Sequence, residues 1–286
     1  MLKRTVQCLA LVIATMTTAS YLYAVDKNKM DVGRNHYCLI DTNSHVQCEG
    51  DNSYGQAENH LDNPYGRVAT ASYSTCALNS NTYKVECWGL VATTPPDIRF
   101  QDIFTNQGTG NQNDVYCGVD FFDTTTCWTA DEDSKVIPPE DLALKQFSMG
   151  LTHGCGISSD FSIVCWGNTQ YKGDPPAGEY VQVDTGWNVS CALKSDNTLA
   201  CWGDDSIADV PTGSFFAVSV GSSHACAISS DDYSVTCWGE GDRHIDGEFI
   251  EVDANNLATC ARSFTNEVTC WSDNSASGNT FPYVWP

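Results

Sequence analysis

Fourteen of the fifteen cysteines in this 286-residue chain fall into seven pairs of almost constant spacing. The pairs are Cys38 and Cys48, Cys76 and Cys87, Cys117 and Cys127, Cys155 and Cys165, Cys191 and Cys201, Cys226 and Cys237, and Cys260 and Cys270. The second cysteine follows the first by 10 or 11 residues, and the first cysteines recur at intervals of 38, 41, 38, 36, 35 and 34. A period in this range is the signature of a repeat architecture and outranks local propensity in deciding the fold. An even, dense set of cysteines in an exported chain reads as disulfides.

Each unit carries the same local pattern. In Cys226-Ala-Ile-Ser-Ser-Asp-Asp-Tyr-Ser-Val-Thr-Cys237, two strand-like runs flank a polar tip, which is hairpin punctuation. Folding the fifth unit about Asp196 sets Leu193 against Leu199 and Cys191 against Cys201. Opposed residues of a non-hydrogen-bonded antiparallel pair have Cα atoms ~4.5 Å apart, within disulfide reach. Each cysteine is therefore expected to bond its partner across its own hairpin, at ~3 kcal/mol per bridge on the chain-entropy model. Side-chain alternation puts the cysteine and the following Leu or Ile on one face and the intervening small residue on the other, as sheets stacked face to face require. A further strand-like run precedes each first cysteine, as in Phe216-Ala-Val-Ser-Val, and no segment carries a helical period. The expected fold is all-β: a seven-bladed propeller over residues 25–286, with four short strands and one disulfide per blade.

The N-terminus reads differently. Lys3 and Arg4 precede a short apolar run from Cys8 to Ala14, then small residues, with cleavage expected after Ala19 or Ala24. This is signal-peptide architecture over residues 1–24, and it removes the odd cysteine. The expected location is extracellular or periplasmic. With 36 acidic against 14 basic residues, the surface disfavours nucleic acid and anionic membranes, which demand Lys and Arg. The expectation is a monomer, free of the membrane once processed, whose partner is an extracellular protein of basic character.

Three stretches bring a known family into view. Phe216-Ala-Val-Ser-Val-Gly-Ser-Ser-His-Ala-Cys-Ala-Ile with Val235-Thr-Cys-Trp-Gly, Gly150-Leu-Thr-His-Gly-Cys-Gly-Ile with Val164-Cys-Trp-Gly, and Gly50-Asp-Asn-Ser-Tyr-Gly-Gln together resemble the RCC1/BLIP-II type of repeat. The resemblance runs over residues 29–286 and is clearest in units 4, 5 and 6. It implies a seven-bladed propeller. Members of that family include nuclear guanine-nucleotide exchange factors and a secreted bacterial inhibitor of β-lactamases. The signal peptide, paired cysteines and acidic charge depart from the exchange factors and argue against that activity. The reading is a non-catalytic protein-binding scaffold or inhibitor-like module. The alternatives are a propeller enzyme acting on extracellular carbohydrate, which a central pocket with converging carboxylates would mark, and an exchange-factor-like regulator.

Few residues carry chemistry. His36, His153 and His224 each stand two residues before a first cysteine and are expected to bond a neighbouring blade, not a metal. Six tryptophans, Trp88, Trp128, Trp166, Trp202, Trp238 and Trp271, follow a second cysteine and are expected between blades. The acidic runs at 131–133, 204–205 and 231–232 lack the spacing of a calcium loop. Asn188-Val-Ser190 is a glycosylation sequon, and 106–114 is an inserted Gly/Asn-rich loop. No catalytic residue, metal or cofactor is expected. Binding is assigned to the hairpin tips, where Tyr83, Phe121, Phe122, Phe161, Tyr233 and Phe264 stand beside Asp120, Asp160, Asp231 and Asp232. Ring closure is assigned to the stretches 27–31 and 281–286. Deleting residues 279–286 is expected to lower stability sharply, and an unchanged melting temperature would count against closure there.

Overall fold

The structure, a computed structural model, describes residues 29–91, 93–106, 114–130, 134, 136–139, 142–168, 170, 173–203, 207, 209–240, 242–255 and 258–272. The signal segment, the C-terminal stretch 281–286, the acidic runs at 131–133 and 204–205, and residues 107–113 of the inserted loop lie outside them.

The hairpin logic of the repeat folds as expected. Seven separate antiparallel sheets form, and each places its two cysteines directly opposite one another. All seven bridges close within their own hairpins, at Cα separations of 4.0–4.1 Å. The inner strands of the blades are Met30–Val32, Tyr65–Thr70, Phe100–Thr105, Leu144–Met149, Tyr180–Thr185, Phe215–Val220 and Phe249–Asn255. Each lies against the inner strand of the next blade, and the seventh lies against the first, so the ring is closed. Met30–Val32 pairs with the middle strand of its own blade, His36–Ile40.

Six blades have three strands among the described residues, and only the sixth has a fourth, Arg243–Ile245. The connecting segments differ in one respect. Every connector between blades contains proline (Pro64, Pro95 and Pro96, Pro138 and Pro139, Pro175 and Pro176, Pro211) except the one after blade 6. Proline lacks the N–H that a ladder needs, and the proline-free connector is the one that adds a strand.

The two faces of each sheet are unequal, and the core follows from that. In blade 6, Cys226, Ile228, Val235 and Cys237 pack with Phe249, Val252, Ala261 and Trp271 of blade 7. The small face of blade 6, Ala225 and Ala227 with Trp238, takes Val189, Cys191 and Leu193 of blade 5. The same exchange places Trp88 against blade 1, Trp128 against blade 2 and Trp166 against blade 3. The six tryptophans that follow a second cysteine are blade-to-blade filling.

The histidines bind across the same junctions. Nε2 of His36 lies 2.8 Å from Thr75 Oγ1, that of His153 2.7 Å from Ser190 Oγ, and that of His224 2.7 Å from Thr259 Oγ1. Each partner is the residue just before the first cysteine of the next blade. Ser190 is thereby buried, and the hydroxyl of the sequon is engaged inside the protein. Close approach is also built in at Gly150 and Gly186, where a Cβ would come within 1.8 Å of a carbonyl oxygen of the next blade.

Burial holds His36 and His153 down to about 4. Between about pH 6.5 and 4 the unfolded chain takes up protons that the folded ring refuses, so stability is lost as pH falls through that window. A His36→Gln, His153→Gln double variant should show a shallower loss of melting temperature on acidification over this range. A loss as steep as that of the parent would sink this account.

Candidate functional site

All seven hairpin tips lie at one end of the ring, where the inner strands begin. The geometry of a tip is set by a residue in the left-handed region: Ser44, Tyr83, Asp123, Phe161, Asn197, Tyr233 and Asn266 have φ between 60° and 66°. This conformation costs ~1–2 kcal/mol for a residue with a Cβ. It aims the tip carbonyl at the neighbouring blade. Tyr83 O accepts from Phe100 N at 2.8 Å, Phe161 O from Tyr180 N at 2.9 Å and Tyr233 O from Phe249 N at 3.0 Å. Three of the sequence-assigned binding residues thus also carry a backbone contact between blades.

A β-bulge at the second residue of the inner strand supports several tips from below. The bulged Lys145 sets Nζ 3.5 Å from the Phe161 ring centroid, and Phe216 packs edge-on at 5.7 Å against Tyr233. Gln101 Nε2 donates to Asp123 at 3.1 Å.

The aromatic tips of blades 2 and 3 and of blades 6 and 7 gather into two patches, and the Phe161 ring of blade 4 is covered by Lys145. Tyr83 and Phe121, on blades 2 and 3, meet edge-on at 5.1 Å, with Arg99 over both rings at 4.9 and 5.8 Å. Phe122 stands beside them, 88% exposed. Tyr233 and Phe264, on blades 6 and 7, meet at 5.3 Å, and Phe264 is 55% exposed. Asp120 accepts Phe122 N and Thr124 N at 2.8 and 2.9 Å. The hydroxyls of Ser158 and Ser162 hold Asp160 down to about 2, and those of Ser234 and Ser229 lower Asp232. These carboxylates fix the turns and leave negative charge at the tips; Asp231 is exposed beside them. Arg99 and Lys145 were not singled out from the sequence, because the chain pattern does not show which ring a cation will cover.

A second cluster went unnoticed in the sequence and lies on the axis. Asp31, Asp184 and Asp253 border a cavity of about 60 Å³ with Thr70, Ser148 and Asn255. Each aspartate faces the first cysteine of its blade and accepts a backbone N–H from the next blade: Asp31 from Thr70, Asp184 from Val220 at 2.8 Å and Asp253 from Val32 at 2.6 Å. Ser148 and Ser219 hold the same position and take Thr185 N and Ala254 N at 3.1 and 3.0 Å. Two positions earlier, Gln146 clasps both backbone groups of Val183 at 2.8 Å, and Gln182 does the same to Val218. Glu251 receives Lys29 N and Met30 N at 3.2 Å and is bound by Arg262 at 2.7 Å.

Edges of the three aspartates border the cavity, but the ring encloses them, and burial governs the titration of Asp31 and Asp253. For Asp31, burial dominates. It pushes Asp31 up to about 7, against two hydrogen bonds from Thr70 and with the charges of Asp184 and Glu251 adding. Asp253 is raised well above the carboxylate range by burial, then by Asp31 and Asp184. Carboxylates therefore do converge on the axis, but they are engaged in blade junctions. The cavity is also small beside the ~300–1,000 Å³ of ligand pockets, with room for a few waters and none for a sugar ring.

Comparison with known proteins agrees with this geometry. Residues 180–206, blade 5 with its first connector residues, match the model of the Regulator of chromosome condensation (RCC1) repeat. The chain is an RCC1-like repeat propeller. It is similar in fold to the CRINKLY WD40 ectodomain of the Arabidopsis thaliana receptor kinase ACR4 (TM-score 0.73, 21% identity, 91% of this chain and 98% of that one). The entire ectodomain of the Physcomitrella patens receptor kinase CR4 is also similar (0.72, 17%, 86% and 73%). So is Prp20p from Saccharomyces cerevisiae (0.64, 15%, 79% and 80%). At these identities the likeness is one of fold.

The tip geometry of this RCC1-like propeller makes a direct demand on residue type. Phe161→Asn, which tolerates a positive φ, should leave the melting temperature nearly unchanged. Phe161→Val, β-branched at the same φ, should destabilise by ~1–2 kcal/mol. Equal effects of the two, read by thermal unfolding, would contradict the turn assignment.

Proposed function

We infer that this RCC1-like propeller works outside the cytosol as a non-catalytic scaffold that binds a protein partner through its tip face. The observation that carries the reading is the Phe122 ring, 88% exposed beside the Tyr83–Phe121 pair, with a second aromatic pair on blades 6 and 7. A ring so exposed gains nothing from the fold, and aromatics of this kind are anchors at protein interfaces. The turn carboxylates beside them favour a partner of basic surface. Seven bridges within hairpins suit an oxidising compartment. Two of the similar structures are receptor-kinase ectodomains, and Prp20p was described with its binding to Gsp1p and histones. These support a protein-facing role for this propeller.

The test uses the mature, oxidised protein and the partner it captures from its native medium. Phe121→Ser, Phe122→Ser and Phe264→Ser, combined, should weaken that affinity at least tenfold, as loss of anchor residues does. Phe122→Ser alone should alter stability by no more than ~0.5 kcal/mol, as surface substitutions do, and Phe121→Ser and Phe264→Ser by no more than the ~0.5–1.5 kcal/mol of an aromatic pair. Undiminished binding would move the interface to another surface. Thiols that alkylate without reductant would remove the extracellular assignment.

A further inference from the structure

We propose that the axial belt holds a structural proton between Asp253 and Ser219, and that this proton makes closure of the ring between blades 7 and 1 sensitive to pH. The argument is a count of hydrogens. Ser219 Oγ lies 2.8 Å from Asp184 Oδ2 and 3.3 Å from Asp253 Oδ1, and it accepts Ala254 N at 3.0 Å. A hydroxyl has one hydrogen to give. Whichever carboxylate receives it, the other contact sets oxygen against oxygen unless that carboxyl brings its own proton.

The surroundings decide which one does. Asp184 is supplied with donors on both oxygens: Ser148 Oγ at 2.6 Å on Oδ1, and Ser219 Oγ and Val220 N at 2.8 Å on Oδ2. Asp253 has Val32 N on Oδ2, and its Oδ1 faces Ser219. The proton belongs on Asp253 Oδ1. It is donated to Ser219, whose own hydrogen then passes to Asp184. One neutral acid completes the line Ser148–Asp184–Ser219–Asp253 across four blades.

The charged groups around Asp253 keep it there. Asp31 faces it from blade 1, Asp184 from blade 5, and Glu251 from its own strand. Tyr116 and Asp114 of blade 3 stand behind Asp31. Arg67 of an inner strand is taken by Asp102 at 3.3 Å, and Arg262 of the middle strand of blade 7 by Glu251 at 2.7 Å. Lys29 enters through its backbone N–H, given to Glu251.

The sign follows directly. Burial and the neighbouring carboxylates raise Asp253 in the folded ring, so above the ordinary carboxylate range the folded state binds more protons than the unfolded chain. Stability from this site is therefore greatest in acid and is lost as pH rises through the raised folded value. The loss falls on the junction where Asp253 holds Val32, the contact that joins the two ends of the ring.

Asp253→Asn mimics the protonated acid, with an N–H for Ser219 and an oxygen for Val32. Thermal unfolding of the oxidised protein and of D253N between about pH 5 and 9 is the experiment. The histidine contributions and general repulsion of the net charge of −22 are common to both and drop out of the difference. The parent should lose melting temperature relative to D253N as pH rises and be the less stable of the two at about pH 9. Parallel curves, or a D253N protein less stable across the whole range, would overturn the proposal. If D253N does not fold, infrared spectra of the parent decide. The carbonyl band of an un-ionised carboxylic acid should persist at about pH 8, above the Asp31 midpoint, and its absence there would refute the shared proton.

Discussion

Seven small sheets standing around an axis share no strand ladder beyond a single bridge from Asn106 to Met149, so this fold rests on what crosses from one blade to the next. The crossing is made three times over at different radii. At the axis, an aspartate or serine opposite the first cysteine takes a backbone N–H of the following blade. Further out, buried histidines reach the hydroxyl before the next first cysteine. At the tips, a left-handed residue turns its carbonyl toward the next inner strand. Between these polar contacts, the large face of one sheet fills the small face of the next, with tryptophan making up the volume. The disulfides make each blade rigid enough for such contacts to register.

This division of labour separates structure from recognition. The aspartates, serines and glutamines of the axis and the histidines of the junctions are engaged in holding the ring. The outer surface of the tips keeps what the ring does not need: Phe122, Phe264 and the charge of the turn carboxylates. The converging carboxylates that would suggest a hydrolase in another setting are, in this one, acceptors for neighbouring backbone.

Much of this was legible in the chain, because the repeat supplies its own register. Cysteine spacing gave the hairpins and the bridges, alternation gave the large and small faces, and a histidine two residues before cysteine pointed across the junction. The scarcity of outer strands among the described residues has a trace in the chain, in Pro95, Pro96, Pro175 and Pro176, but a generic four-stranded blade concealed it. The axial belt was harder. Its members sit seven residues before the first cysteine (Asp31, Ser148, Asp184, Ser219, Asp253), yet the position varies between Asp and Ser and is lost at Ala69 and in blade 3, where Phe104 faces Cys117. Nothing local in a strand says that its short polar residue will meet another's from 35 residues away. The pairing of tips was likewise hidden, since Arg99 and Tyr83 belong to different blades and meet only once the ring curves.

The geometry of the last junction also sets an order of assembly. Six junctions join blades adjacent in the chain, whereas the seventh brings Met30 and Val32 to residues 221 positions away. The entropy of closing so long a loop grows only logarithmically with its length, so the obstacle is one of timing. A chain emerging from its N-terminus can oxidise each hairpin alone and seat each blade on its predecessor. Through all of that the amides of Met30 and Val32 face water, and only the arrival of Glu251 and Asp253 turns an open spiral into a ring.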